Sequence, residues 1–347
     1  MTELLEMKQR LKIFYGKYDV YLKPALKFLL ALFAFFMINE QIGFMQKLSG
    51  PAVSLLLALL CSFLPVNMIA VFAGLLVCAH AYALSLEVFA MAAGLLAVMY
   101  ILYFRVSPKY GYVLVLTPIA FLLKIPYAVP LTMGLLGGPA CVVPVACGTV
   151  FYYLIYYMKN NEAMLASSET EQMTSRLSYL VENVLNNKTV ILTVLVFAVV
   201  LMIVYAIHRL SADHAWHIAI GAGAVTNIVL FLVGALVMQV KVPIIQLILG
   251  TLVSIVIAMA VEFFVFSVDY SRTEYAQFED DEYYYYVKAV PKINVANADV
   301  RIKHINAKKT KKTDDIRQMR TGDTAKDNGY AVSNEEDDDI LFYDDDK

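Results

Sequence analysis

Three apolar runs, residues 190–208, 215–239 and 242–268, constrain this chain more than any other feature. At 1.5 Å per residue each is long enough to cross a hydrocarbon layer about 30 Å thick. No charged side chain falls between Val190 and Ile207. A helix that is apolar on every side belongs in lipid or in the middle of a large core. The chain is 60% hydrophobic and only 17% charged, which puts lipid first. Within these runs Gly250, Ser254 and Ala258 lie at helix-packing spacing, a pattern that lets neighbouring backbones approach closely.

Further apolar segments precede them at residues 25–46, 51–64, 66–84, 86–104 and 110–123, separated by loops of a few residues, so antiparallel hairpins are expected. Ahead of the first, Leu4, Met7, Leu11, Phe14, Tyr18 and Leu22 recur at helical spacing, with Lys8, Arg10, Lys12 and Lys17 on the remaining surface. Residues 1–23 therefore read as an amphipathic helix, lying either in an anionic interface or on the protein's own cytoplasmic loops. Either way the N-terminus is expected in the cytoplasm. The cations Arg105 and Lys109 in one short loop agree with that side. No cleavable signal peptide is visible, since the first apolar run leads into Asn39 and Glu40 without a small-residue cleavage pattern.

Residues 111–158 break this regularity. Pro118, Pro126, Pro130, Pro139 and Pro144 interrupt an apolar stretch whose one charge is Lys124. Freed backbone groups at membrane depth must be screened by protein or line a cavity, so this stretch is the candidate substrate path or gate. Its candidate residues are Lys124, Pro126, Pro130, Gly137, Gly138 and, as a boundary partner for Lys124, Glu87. Two readings stand for Lys124: a functional or paired intramembrane cation, or the end of a short helix whose lysine snorkels to the far headgroups. The glycines either open a discontinuous helix to a ligand or form a packing face. One crossing by residues 127–158 gives nine spans and an extracellular tail; two give ten and a cytoplasmic tail. The positive-inside bias, with Arg209 and Arg272 flanking spans, favours ten, and a re-entrant pair gives the same sidedness.

A polar insert, residues 159–188, carries a helical stripe at Met173, Leu177, Leu180, Val181, Val184 and Leu185, and divides a first membrane half (24–158) from a second (189–269). Residues 270–295 read as a docking segment. There Tyr283, Tyr284, Tyr285, Tyr286 and Lys288 are the candidate partner-binding residues, and strand propensity is strong. Residues 296–347 collapse in apolar content and carry charge blocks, which predicts disorder. The expected fold is thus all-α, a polytopic helical membrane bundle of about 9–10 spans with a broken-helix central stretch and a mostly disordered C-terminal tail.

No enzyme is expected and no catalytic residue is assigned. The chain has no Walker-type phosphate loop, no G-x-S-x-G and no H-E-x-x-H, so ATP-driven transport would need a separate ATPase subunit. His208, Asp213, His214 and His217 are close in sequence but fit a solvated loop better than a metal site. Cys61, Cys78, Cys141 and Cys147 all lie in apolar runs and read as packed thiols. No metal or other cofactor is expected; membrane lipid and a cytoplasmic protein are the expected partners, and nucleic acid is not.

The segments LKIPYAVPLTMGLLGGPACVVPVACG (123–148) and VDYSRTEYAQFEDDEYYYYVKAVPKI (268–293) together resemble uncharacterised multi-spanning bacterial membrane proteins of Gram-positive anaerobes, loosely labelled ABC-transporter permeases. That resemblance implies a bacterial plasma membrane and transfers no catalytic residue; the chain shows no coupling-loop signature. Two functional expectations follow. One is a transport-type protein, permease-like subunit or carrier, whose tail binds a partner. The other is a membrane scaffold or regulator that recruits a cytoplasmic complex through its tail.

Overall fold

The computed structural model describes residues 2–165, 186–265, 274–279 and 282–289. The amphipathic stripe of the insert and the charged segment 296–347 lie outside the described residues. The helices are α1 (Thr2–Ile42), α2 (Pro51–Phe63), α3 (Asn67–Leu84), α4 (Leu86–Val106), α5 (Gly111–Leu122), α6 (Ala128–Leu136), α7 (Val142–Asn160), a single turn α8 (Glu162–Leu165), α9 (Lys188–His208), α10 (Ala215–Met238) and α11 (Ile244–Val265). Seven helices among the described residues are long and apolar enough to cross a membrane. The protein is an integral membrane protein, a multi-pass bundle.

Proline placement explains where the helices start. The first turn of a helix makes no use of its own N–H groups, so proline is tolerated there. Pro51 opens α2, Pro130 is the third residue of α6, and Pro144 is the third of α7. Pro108 and Pro139 open short 3-10 turns. Only Pro24 and Pro118 fall inside described helices. The expected N-terminal helix is joined end to end with the first span across a kink, so α1 comprises two helices. α1 departs from helical geometry at Tyr18 (φ −114, ψ 20), upstream of Pro24, and then continues to Ile42.

Side-chain contacts give the direction of each pass. At one end of the bundle, here the proximal end, Ser62 Oγ donates to the Pro24 carbonyl at 2.9 Å and Lys27 Nζ to the Leu64 carbonyl at 3.1 Å. At that end also, Asn67 Nδ2 donates to the Pro108 carbonyl at 2.7 Å, and the Tyr103 hydroxyl lies 3.0 Å from Asn67 Oδ1. At the opposite, distal end, Asn39 Nδ2 donates to Ser54 Oγ at 2.9 Å and to the Leu48 carbonyl at 3.0 Å. His80 joins this distal network: Nδ1 accepts from the Met45 N–H at 3.1 Å, which leaves the Nε2 proton to meet Asn39 Oδ1 at 2.8 Å. α7 ends distally as well, where Lys159 Nζ donates to Gln41 Oε1 at 2.7 Å. α1 to α4 therefore alternate, α5 leaves the proximal end, α6 returns to it, and α7 runs distally. α9, α10 and α11 continue the alternation. Lys8 sits over the Phe263 ring at 5.2 Å, which places both ends of the membrane-embedded chain at the proximal end.

Residues 127–158 form two helices that run in opposite directions, the short α6 and the full-length α7. Neither a single crossing nor two crossings describes them: α5 and α6 make a re-entrant pair, which keeps the same sidedness as the ten-span pattern without adding two spans.

The packing forms two cores. One draws on α1 to α4 and includes Phe35, Ile69, Val77 and Tyr103; the other draws on α6 and α9 to α11 and includes Leu131, Phe197, Val200 and Leu247. α5 and α7 contribute to both, through Leu114 and Phe151 on one side and Val113 and Val145 on the other. The broken stretch is therefore the seam of the molecule. Past α11, β1 (Glu274–Glu279) and β2 (Tyr284–Ala289) form an antiparallel hairpin in which Gln277 pairs with Tyr286 and Tyr275 with Lys288.

Candidate functional site

The site begins with a mismatch of helix lengths. α5 has 12 residues and α6 has 9, so they measure about 18 Å and about 14 Å at 1.5 Å per residue. α7 has 19 residues and α9 has 21, giving about 28 Å and about 31 Å. The α5/α6 hairpin starts and ends proximally and turns about 10 Å short of its neighbours' distal ends. Full-length helices wall the space above the turn, and no described helix fills it.

The turn itself is a Schellman-type cap. Leu123 N–H donates to the Ile119 carbonyl at 3.0 Å, Lys124 N–H to Phe121 at 3.0 Å and Ile125 N–H to Ala120 at 2.9 Å. This motif needs a left-handed residue after the helix, normally glycine. Lys124 occupies it with φ 62. Pro126 follows and cannot continue α5, and α6 begins two residues later. α5 is therefore short, ending at Leu122, and the Lys124 side chain is exposed at the tip of the hairpin.

Above the tip lies a vestibule of about 350 Å³. Its floor includes Phe121, Lys124, Pro126 and Tyr127, and its walls include Tyr152, Tyr153, Tyr156 and Tyr157 of α7, Thr189 and Thr193 of α9, Phe231 of α10 and Gln246 of α11. Lys241, in the loop before α11, completes the rim. The tyrosine spacing puts four phenols on successive turns of one helix end. Tyr152 stacks on Phe121 with centroids 4.4 Å apart, Tyr153 meets Thr193 Oγ1 at 3.3 Å, and Asn187 Nδ2 donates to the Tyr157 hydroxyl at 2.8 Å. The described lining holds two ammonium groups and no carboxylate, and neither Lys124 nor Lys241 makes an ion pair with a described residue. Such a chamber offers positive charge and hydroxyl donors to an anion, with aromatic faces beside them.

A second cavity, about 460 Å³, shares Lys124, Pro243 and Gln246 with the vestibule and continues past Ile125 along Ile245, Leu249 and Val253 of α11. Those three side chains, four residues apart, are 77%, 58% and 46% exposed and form one outward-facing helix stripe. The chamber thus adjoins a groove on the outward-facing side of α11.

Only part of the candidate set from the sequence comes together here. Lys124 and Pro126 line the vestibule. Pro130 is buried in the first turn of α6 and serves helix initiation. Gly137 and Gly138 lie at the proximal end of α6, near Tyr110, with extended backbones at φ −102 and −104. Gly137 is required for space, because a Cβ there would meet Cys141 Sγ. Gly134 likewise packs against Val204, so these glycines serve helix contact. Glu87 is in the first turn of α4, where Ser85 Oγ caps the helix by accepting from Val88 N–H at 3.3 Å; it is not in the vestibule lining. The tail residues Tyr283 to Tyr286 and Lys288 are exposed on the hairpin, with Lys288 Nζ 5.8 Å from the Tyr275 ring centroid.

The histidine group diverges. His208 packs on Trp216 at 5.5 Å, whereas His217 Nδ1 pairs with Glu262 Oε1 at 3.1 Å. Among the described residues no group of three His, Cys, Asp or Glu side chains is arranged to hold a metal. Sequence reasoning missed Lys241, Gln246, Thr193 and the α7 tyrosines. The run FYYLIYYM was legible as aromatic and interfacial, but its partner elements lie 30 to 90 residues away in sequence. Comparison with protein-family models, with curated proteins and with solved structures returned no match.

Proposed function

We propose that this is a transport-type membrane protein whose substrate enters the vestibule above the α5/α6 hairpin. One observation carries the reading: a short, broken hairpin at the seam between two packing cores holds a chamber lined by two ammonium groups and, among the described residues, open at the distal end, while Ala128 to Leu135 beneath it are buried throughout. A chamber open on one side over a closed barrier is one state of an alternating-access cycle, and hairpins of short helices at a bundle seam are where such proteins bind substrate. The seam also supplies the hinge, since α5 and α7 belong to both cores.

The proximal end is the cytoplasmic one in this reading. Lys8, Arg10, Lys12, Lys17, Lys23, Lys27, Arg105, Lys109 and Arg209 belong to it, whereas Lys47, Lys124, Lys159, Lys188 and Lys241 are distal. That bias supports, by the positive-inside rule, a cytoplasmic tail in a bacterial plasma membrane. The hairpin Glu274–Ala289, with its exposed tyrosines, then faces cytoplasmic proteins, which also favours the scaffold reading.

Cysteine accessibility tests the transport reading. In a background with Cys61, Cys78, Cys141 and Cys147 replaced by alanine, Thr193→Cys reacts with a membrane-impermeant maleimide from the distal side. Thr132→Cys, within the buried barrier, reacts from the proximal side in the alternate state. Failure of Thr132→Cys to react from either side under any condition overturns alternation and leaves the scaffold reading.

A further inference from the structure

The geometry points to a specific ligand class for this site: a membrane lipid with an anionic phosphate headgroup, seated with its phosphate between Lys124 and Lys241 and a chain in the groove along α11. The inference rests on the vestibule being the substrate chamber and names what enters it.

Two observations carry it together. The chamber has two ammonium groups without a described carboxylate to neutralise them, beside the phenol hydroxyls of Tyr152 and Tyr156, which can donate to phosphate oxygens; the Thr193 hydroxyl donates instead to the Thr189 carbonyl at 2.7 Å. A lysine ammonium serves as a point-charge phosphate partner, and its attraction is strengthened where apolar walls exclude water. The chamber also opens sideways. Lys124 and Gln246 line both the polar vestibule and the apolar groove, and Ile245, Leu249 and Val253 run about 12 Å along the membrane-facing side of α11. A water-soluble anion needs the first part and has no use for the second. An acyl chain needs the second, and a lipid reaches it from the bilayer without passing through water. Lys124 belongs to both parts because the left-handed cap places it at the tip of the hairpin, a position that normally holds glycine.

The test uses the full-length protein purified in a zwitterionic detergent, with lipid retention read by native mass spectrometry. The probes are phosphatidylglycerol, phosphatidylcholine and inorganic phosphate. Phosphatidylglycerol is expected to be retained in preference to phosphatidylcholine at one site per chain. K124Q/K241Q is expected to weaken that retention about 30-fold, about 2 kcal/mol at 1.4 kcal/mol per decade. K124R/K241R, which keeps both charges, restores retention to within about threefold and shows that a loss in the glutamine pair is not a folding defect. Leu249→Trp, which fills the groove, lowers phosphatidylglycerol retention and leaves any inorganic phosphate binding unchanged. K47Q/K188Q, which removes two other distal lysines, leaves retention as in the wild type.

Equal retention in K124Q/K241Q and K47Q/K188Q would mean annular lipid and overturns the proposal. Displacement of phosphatidylglycerol by millimolar inorganic phosphate, with Leu249→Trp without effect, assigns the chamber to a soluble anion and overturns the lipid claim. That second result leaves the transport reading standing, because alternation at Thr193 and Thr132 is measured independently of any lipid.

Discussion

Replacing Lys124 by glycine separates the backbone role of that position from its chemical role. An L-residue held in the left-handed region carries a strain of about 1–2 kcal/mol that glycine does not. Glycine gives back about 0.4–1 kcal/mol through the greater freedom of the unfolded chain. The net expectation for Lys124→Gly is a gain of about 0.5–1 kcal/mol in stability, or about 1–3 °C in Tm. Gln239 is a matched control. It holds φ 56 at the end of α10 in the same cap, with Val240 N–H donating to the Ala235 carbonyl at 3.0 Å, and it is not in the vestibule lining. Gln239→Gly should raise Tm by the same amount. The two variants part in ligand binding. Lys124→Gly should weaken phosphatidylglycerol retention about fivefold, the loss of about 1 kcal/mol for one ammonium near a phosphate surface, and Gln239→Gly should not change it. The assay is thermal unfolding of both variants in one detergent, followed by lipid retention on the same preparations. Wild-type retention in Lys124→Gly refutes the assignment of Lys124 to the site. A fall in Tm for Lys124→Gly beside a rise for Gln239→Gly refutes the account of the cap.

Gly134→Val should force α6 off Val204 and cost about 1–3 kcal/mol by overpacking, seen as a lower Tm with the helix content by circular dichroism retained. His80→Leu removes the acceptor for the half-buried Met45 N–H and the donor to the buried Asn39 Oδ1, and should cost about 1–3 kcal/mol; the measurement is Tm, with Tyr82→Phe on the same helix as the neutral reference. Thr193→Val removes the hydroxyl facing Tyr153 and should lower stability by about 1 kcal/mol or less. Its larger effect should be on accessibility of the vestibule to an impermeant reagent at Tyr153→Cys. Truncation after Asp269 should leave Tm and lipid retention unchanged, and loss of a cellular phenotype with both intact would favour the scaffold reading.

The membrane class, the hairpin succession and the packing stripe Gly250, Ser254 and Ala258 were legible because they depend on local pattern: apolar length, loop length and helical period. All three stripe residues are buried. The prolines were legible as breaks, but their meaning was not. Pro130 and Pro144 read as interruptions of helices, whereas each sits in the first turn of one, where its missing N–H is not needed. Whether a proline kinks or starts a helix depends on where the preceding segment ends: before Pro130 that end is the cap at Lys124, and before Pro144 it is the extended pair Gly137 and Gly138. The cap was hidden because its left-handed position holds lysine in place of the glycine that signals it. The chamber was invisible for another reason: it is a difference in length between α5/α6 and their neighbours. Its second ammonium comes from a loop 117 residues further along the chain. No local pattern links Lys124 to Lys241.

The most direct test of the account is the side from which the hairpin tip meets water. In the cysteine-free background, Lys124→Cys should react with an impermeant maleimide added from the distal side, as should the reference Lys47→Cys. Gly138→Cys, just past the proximal end of the nine-residue α6 that follows the Lys124 cap, should react only from the proximal side. Reaction of Lys124→Cys and Gly138→Cys from one and the same side, or no reaction at Lys124→Cys from either, would contradict a short hairpin capped by a distal water-filled vestibule.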